Sequence, residues 1–176
     1  MLVTANRIVP VDMTENRARH PTPTDRPDMP AFTTQKLVRF QHCDPAGIIF
    51  FPQYFLLFNE VVEDWFTQAM GVDWRKFHID DKLGFPVKKT TTEFFSPSVI
   101  GEVLDCSLEV KRLGRSSVEL LIRITCKGEL RALVEETRIH TSLVVHRSRP
   151  LDPDLRAQME RYLAPPPANA PAQYTS

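Results

Sequence analysis

Asp44 stands in the run Phe40-Gln-His-Cys-Asp-Pro-Ala-Gly-Ile-Ile-Phe-Phe-Pro, where a strand-like segment ends and a helix-like one begins. A carboxylate in such a loop can reach a carbonyl lying over the start of the helix. It would then attack the carbonyl carbon or draw a proton from water. The helix start adds free backbone N–H groups and the positive end of the helix dipole, which stabilise a developing oxyanion without a cationic side chain. Gly47 lets the backbone come close to a bound group because it carries no Cβ. Taken alone, Asp-Pro-x-Gly is ordinary turn chemistry. His42, two residues before Asp44, lacks the further ligands a metal site needs and reads as a surface or capping residue. No metal and no cofactor is expected.

The elements that must hold these residues can be read from hydrophobic periodicity. Thr33 to Phe40 reads as a first strand, ended by the turn Asp44-Pro45-Ala46-Gly47. From Pro52 to Met70, Phe55, Phe58, Val62, Trp65, Phe66 and Ala69 recur at three- and four-residue steps, with Glu60, Glu63, Asp64, Thr67 and Gln68 mostly opposite. This predicts one long amphipathic helix, with Pro52 at its first position and Gly71 just past its end. After an irregular connector over 72–84, the period changes to two. Leu104, Cys106, Leu108 and Val110 form one buried stripe, and Val118, Leu120, Ile122, Ile124 and Cys126 a second. Leu113-Gly114-Arg115-Ser116 between them predicts a hairpin turn, with Gly114 free to take a positive φ. A weaker strand is predicted over 85–95, a long one over 133–145, and a last helix from Asp152-Pro153 to about Leu163. An antiparallel sheet and an aromatic-striped helix bury each other if the sheet wraps the helix, an α+β architecture. Exposed sheet edges of this kind are commonly paired across a twofold axis, so a homodimer or homotetramer is expected.

Bulk composition narrows the function classes. The 176 residues are 42% hydrophobic and 25% charged, with 22 basic and 22 acidic side chains. Balanced charge gives no global field for nucleic acid or an anionic membrane, so an anion site must be local. Cys43, Cys106 and Cys126 form no C-x-x-C pair, and no 18-residue apolar run occurs. The first residues show neither an apolar signal core nor a cleavage site, and a cytoplasmic protein with reduced thiols is expected. Residues 1–31 hold five prolines among polar residues and read as a disordered leader. Residues 164–176 read as a similar tail, leaving 32–163 as the single folded domain.

The element order, with Asp44-Pro-Ala-Gly-Ile-Ile-Phe-Phe-Pro-Gln-Tyr54, resembles the hotdog-fold acyl-CoA thioesterases of the 4-hydroxybenzoyl-CoA thioesterase type. The segment is similar to that family's D-P-A-G-[IV]-[VI]-aromatic-aromatic-P-x-Y signature, and the likeness in layout covers residues 33–148. It implies a hotdog fold, an antiparallel sheet of about five strands around one long central helix, and hydrolysis of an acyl-CoA thioester. It implies Asp44 as the catalytic carboxylate, with direct attack favoured over water activation, and the amide of Phe51 as the oxyanion donor. Tyr54 and Asn59 fall on the substrate side by motif position, Asn59 where relatives acting on hydroxylated aromatic acids carry a polar group. In bacterial acyl-CoA thioesterases of the Tol-Pal gene neighbourhood a His follows the aromatic pair. Pro52 stands there instead, which favours an aromatic over a short-chain aliphatic acyl group.

For the CoA arm, Lys111, Arg112, Arg115, Ser116 and Ser117 cluster at the hairpin, and the resemblance implies phosphate contacts from this region. A plain solvated basic hairpin is the alternative. A second branch of hotdog thioesterases carries its carboxylate on the helix, which makes Glu63 the next candidate after Asp44. The rival functions are a short-chain acyl-CoA thioesterase, a non-catalytic acyl-CoA-binding module, and a dehydratase, for which His42 has no evident place.

Overall fold

The computed structural model describes residues 31–164. The expected leader and tail lie outside the described residues, apart from residues 31 and 164. Strand β1 (Phe32–Leu37) is followed by a 3-10 turn at Phe40–His42, helix α1 (Phe51–Asp64) and a wider π turn at Trp65–Ala69. A second π turn at Lys76–Asp80 leads to β2 (Leu83–Gly84). Then come β3 (Val87–Phe94), β4 (Val103–Leu113), β5 (Ser117–Cys126), β6 (Glu129–Ile139), β7 (Thr141–Ser142), β8 (Arg147–Ser148) and α2 (Pro153–Glu160). The main sheet is fully antiparallel in the order β1-β4-β5-β6-β3, and β2, β7 and β8 form a small second sheet.

The expected five-strand sheet around one long helix is what forms. On α1 the buried residues are Tyr54, Leu57, Phe58, Val61 and Val62, continued by Trp65 and Phe66. They meet Leu104, Leu108 and Val110 of β4, Leu120, Ile122 and Ile124 of β5, and Ala132 and Val134 of β6 in one core. Phe58, Trp65 and Phe66 are fully buried, and truncating a buried Phe or Trp to Ala costs about 3–5 kcal/mol.

Several expectations need correction. Phe55 does not join the buried stripe; it is 38% exposed, because at 100° per residue the sheet-facing line runs through Tyr54, Phe58 and Val62 instead. The first strand ends at Leu37 rather than Phe40, since the backbone bends at Arg39, whose carbonyl accepts the His42 N–H at 2.9 Å. The helix starts at Phe51, one residue before Pro52, and loosens after Asp64: the Met70 N–H bonds back five residues to the Trp65 carbonyl. The connector 72–84 is not irregular throughout, for it holds the second π turn and β2. The long strand expected over 133–145 runs earlier, at Glu129–Ile139, because Lys127 (φ 51°) and Gly128 (φ 80°) make a tight two-residue hairpin after β5. Beyond His140 the chain leaves the main sheet for the small one. Gly114 is not among the positive-φ residues; its N–H closes the β4–β5 hairpin on the Ser117 carbonyl at 2.8 Å. The last helix stops at Glu160 rather than Leu163. No helix among the described residues is long and apolar enough to cross a membrane.

Candidate active site

Between β1 and α1 the chain makes a closed loop. Cys43 bridges Ile49, the Asp44 N–H reaches the Ile48 carbonyl at 3.0 Å, and the Phe50 N–H reaches the His42 carbonyl at 2.9 Å. The loop's two ends therefore lie side by side, with Asp44 on one and the start of α1 on the other. The Asp44 carboxylate accepts the Ala46 N–H on Oδ1 at 2.8 Å, an Asx turn that fixes the side chain. The side chain is half-buried, and this turn engages only one of its two oxygens. The turn reading of Asp-Pro-x-Gly is thus correct as geometry and leaves Oδ2 over for chemistry.

Phe51 is the first helical residue after the cap position of Phe50, and Pro52 follows it. The first N–H groups of a helix have no acceptor inside it, and Pro52 supplies none, so the Phe51 amide is the outermost donor of the helix end. Gly47 has φ +75°, a conformation L side chains rarely adopt, and a Cβ there would meet nothing within 4 Å. Its requirement is conformational, and the space above it is open. Phe50 and Phe51 are exposed and meet edge to face at 5.5 Å, forming an aromatic rim.

The loop is braced from below. The Ile49 N–H bonds the Ser98 carbonyl at 2.9 Å and the Ile100 N–H bonds the Gly47 carbonyl at 3.0 Å. Tyr54, expected on the substrate side, is buried, with its hydroxyl donating to Ser98 Oγ at 2.8 Å and its ring 5.1 Å from that of Phe94. Burial pushes its hydroxyl pKa up. Arg131 in turn holds the 97–99 segment, donating to the Pro97 carbonyl at 2.7 Å and to Glu102 at 3.0 Å, while Glu102 accepts the Val99 N–H. The sequence gives no sign of Ser98, Glu102 and Arg131 as supports, because a brace 30 or more residues away in the chain leaves no local pattern. His42 is buried, with Nδ1 accepting the Arg39 N–H at 3.1 Å; no group of three metal-ligand side chains occurs among the described residues.

The structure brings Asp44, Gly47, Phe51 and Tyr54 together. Asn59 lies two turns along α1 from Phe51, exposed, with its Oδ1 accepting from Arg138 at 3.1 Å. Arg112, Arg115 and Ser116 sit elsewhere. The Asp44 loop adjoins the start of β4, through the Ile48–Val99 bridge and the Val38 N–H on the Glu102 carbonyl. The hairpin closes the far end of that eleven-residue strand, about 33 Å away at 3.3 Å per residue. There Lys111 pairs with Glu135 and Arg112 with Glu119, whose carboxyl is lowered first by that hydrogen bond. Glu60 and Asp64 pair with Lys36, leaving Glu63 as the half-buried carboxylate on that face of the helix.

A model of the thioesterase-like superfamily matches residues 38–159. The chain belongs to that superfamily. It is a hotdog-fold acyl-CoA thioesterase, and the matched span runs from the end of β1 to α2. The 1,4-dihydroxy-2-naphthoyl-CoA hydrolase of Thermosynechococcus vestitus is 28% identical over 120 residues, covering 68% of this chain and 82% of that one. The 4-hydroxybenzoyl-CoA thioesterase of Pseudomonas sp. is 26% identical over 88 residues, covering 49% of this chain and 62% of that one. Among solved structures, a thioesterase superfamily protein from Jannaschia sp. superposes with a TM-score of 0.73 at 24% identity, over 83% of this chain and 99% of the other.

Proposed function

We propose that this thioesterase hydrolyses an aromatic acyl-CoA, with Asp44 as the catalytic carboxylate and the Phe51 amide polarising the thioester carbonyl. The observation that carries the reading is the closed 43–50 loop, whose backbone hydrogen bonds tie the arm that holds Asp44 to the arm that leads into the helix start. A carbonyl hydrogen-bonded there would gain negative charge in the transition state, where a fixed donor stabilises it most. Direct attack by Asp44 forms a C–O bond to the carbonyl carbon and expels the CoA thiolate, leaving a mixed anhydride that water cleaves to the acid and the free carboxylate. In the alternative, Asp44 takes the proton of an attacking water. Reduction by borohydride under single turnover converts an anhydride at Asp44 to the alcohol, whereas water activation leaves Asp44 unmodified.

The aromatic assignment is supported by the acyl groups named for both curated relatives and by the exposed rim of Phe50, Phe51 and Phe55. A thiol-release panel of benzoyl, hydroxybenzoyl, phenylacetyl and aliphatic CoA esters tests it. Higher kcat/KM for the aliphatic esters overturns the aromatic reading, and no release from any ester overturns the site.

The proposed place for the CoA arm is between two copies of the chain. Arg112, Arg115 and Ser116 lie too far from Asp44 to hold the phosphates of an ester bound at the same chain's site, so the hairpin of another copy would supply them. Strand β3 is an edge of the main sheet and most of its residues are exposed, the kind of edge that pairs across a twofold axis. Light scattering on the eluted protein should give a dimer or tetramer; a monomer that retains full affinity for CoA esters overturns this arrangement.

A further inference from the structure

The inner face of β6 changes character along its length. Ala132 and Val134 are core residues, and then Glu136 and Arg138 follow on the same face, 4% and 2% exposed. Burying a charged pair costs desolvation that apolar residues of similar size avoid, so the pair invites a role beyond packing. Arg138 is held on three sides: Nε donates to Glu136 at 2.7 Å, and Nη1 to Asn59 Oδ1 at 3.1 Å and to the Phe85 carbonyl at 3.5 Å. Glu136 neutralises the guanidinium, so the group offers direction rather than net charge.

The direction has a chemical consequence at Asn59. A guanidinium can only donate, so the Asn59 amide must turn its oxygen inward. Its NH2 group is then the outward atom, and no acceptor for it is found among the described residues. Phe51, Phe55 and Asn59 follow each other at four-residue steps along the exposed side of α1. Asn59 is therefore about 12 Å along the axis from the Phe51 amide. That is the reach of one aromatic ring with a para substituent and a hydrogen bond of about 2.9 Å at each end.

We propose that Arg138 is a positioning residue that locks Asn59 as an outward hydrogen-bond donor, so that the site selects aroyl groups bearing a distal acceptor over those bearing a distal donor. The inference rests on the aromatic acyl-CoA reading above. Its test compares kcat/KM for 4-formylbenzoyl-CoA, an acceptor, with 4-aminobenzoyl-CoA, in practice a donor. Referring each ratio to that of Asn59→Ala cancels the substituents' electronic effect on the thioester. Wild type should favour the formyl ester by about tenfold over this reference. Asn59→Asp, which turns an acceptor outward, should reverse the preference. Arg138→Lys, still a donor to Oδ1, should keep most of it, and the paired change Glu136→Leu with Arg138→Met should lose it without stranding a buried charge. Equal ratios in wild type and Asn59→Ala, with benzoyl-CoA still hydrolysed, overturn the inference alone. Full preference in the paired variant removes Arg138 from it. Absence of benzoyl-CoA hydrolysis beside turnover of aliphatic esters overturns the aromatic reading and this inference together.

Discussion

At the Asp44 end of the sheet the chain folds back on itself and leaves amides open, whereas at the β4–β5 end it covers its carbonyls. The 43–50 loop spends its hydrogen bonds on its own backbone and on the 98–100 segment, and the Phe51 N–H stays outermost. The hairpin is sealed by segments later in the chain: the Gly114 carbonyl accepts from Arg156, the Arg115 carbonyl from the Leu151 N–H at 2.8 Å, and the Ser116 carbonyl from the His140 N–H at 2.9 Å. The first end can act on a substrate through backbone and carboxylate, while the second offers the exposed cationic side chains of Arg112 and Arg115. The two turns thus differ in what their surroundings leave unsatisfied, and that difference separates chemistry from anchoring.

The largest effect should come from the open end. Asp44→Asn keeps the Asx turn, because the amide oxygen can still accept the Ala46 N–H, and should cut kcat by about 10³-fold with substrate affinity near normal. Retention of most activity would move the role to Glu63. Phe51→Pro should follow at about 10²-fold or more. It deletes the proposed oxyanion donor at a first helical position where Pro is well tolerated, and the extended Phe50 (φ −64°, ψ 123°) suits a following proline. Phe51→Ala keeps the N–H, so a loss equal to that of the proline variant would assign the effect to the ring.

At the covered end the expected effect is smaller and confined to binding. Arg112 is exposed and its pair with Glu119 is of a kind worth little, so a phosphate could take the place of Glu119 at small cost. Arg112→Ala with Arg115→Ala should raise KM for CoA esters about tenfold and leave a truncated pantetheine ester little changed. An equal change for both esters would make the hairpin structural rather than phosphate-binding.

Sequence periodicity carries the helix and the β4–β5 pair because each buries one face, and the eleven-residue run ending at Tyr54 carries the family. The Asp44 loop is legible for a related reason: its turn residues are contiguous. The illegible part is long-range. Phe55 fits the helical stripe as well as Tyr54 does, and only the placement of the sheet decides between them. Ser98 and Arg131 brace the loop from other parts of the chain, and Glu136 and Arg138 look like ordinary charges until β6 is seen to turn them inward against Asn59. The hairpin's sealed carbonyls depend on residues 140–156, so its backbone cannot be judged from residues 113–117.

His140 gives the two ends a last, smaller distinction. It is fully buried at the covered end, stacked on Phe77 at 6.0 Å, with Nδ1 2.8 Å from the Pro150 carbonyl. A carbonyl only accepts, so the ring proton sits on Nδ1, and Nε2 is left buried without a hydrogen-bond partner, 4.0 Å from Asp152. Burial lowers its pKa in the folded state. The unfolded chain then takes up the proton first as pH falls below about 6.5, so the contribution of neutral His140 is present above that value and is lost towards the lower folded pKa. Between pH 7 and about 5.5 the wild-type melting temperature should fall by more than that of His140→Asn, whose amide can still donate to Pro150 but does not titrate. Parallel falls in the two proteins would place the acid sensitivity elsewhere. A steeper fall confined to wild type would tie it to the segment that seals the hairpin, and KM for CoA esters should then rise over the same range while hydrolysis of the pantetheine ester follows the Asp44 end alone.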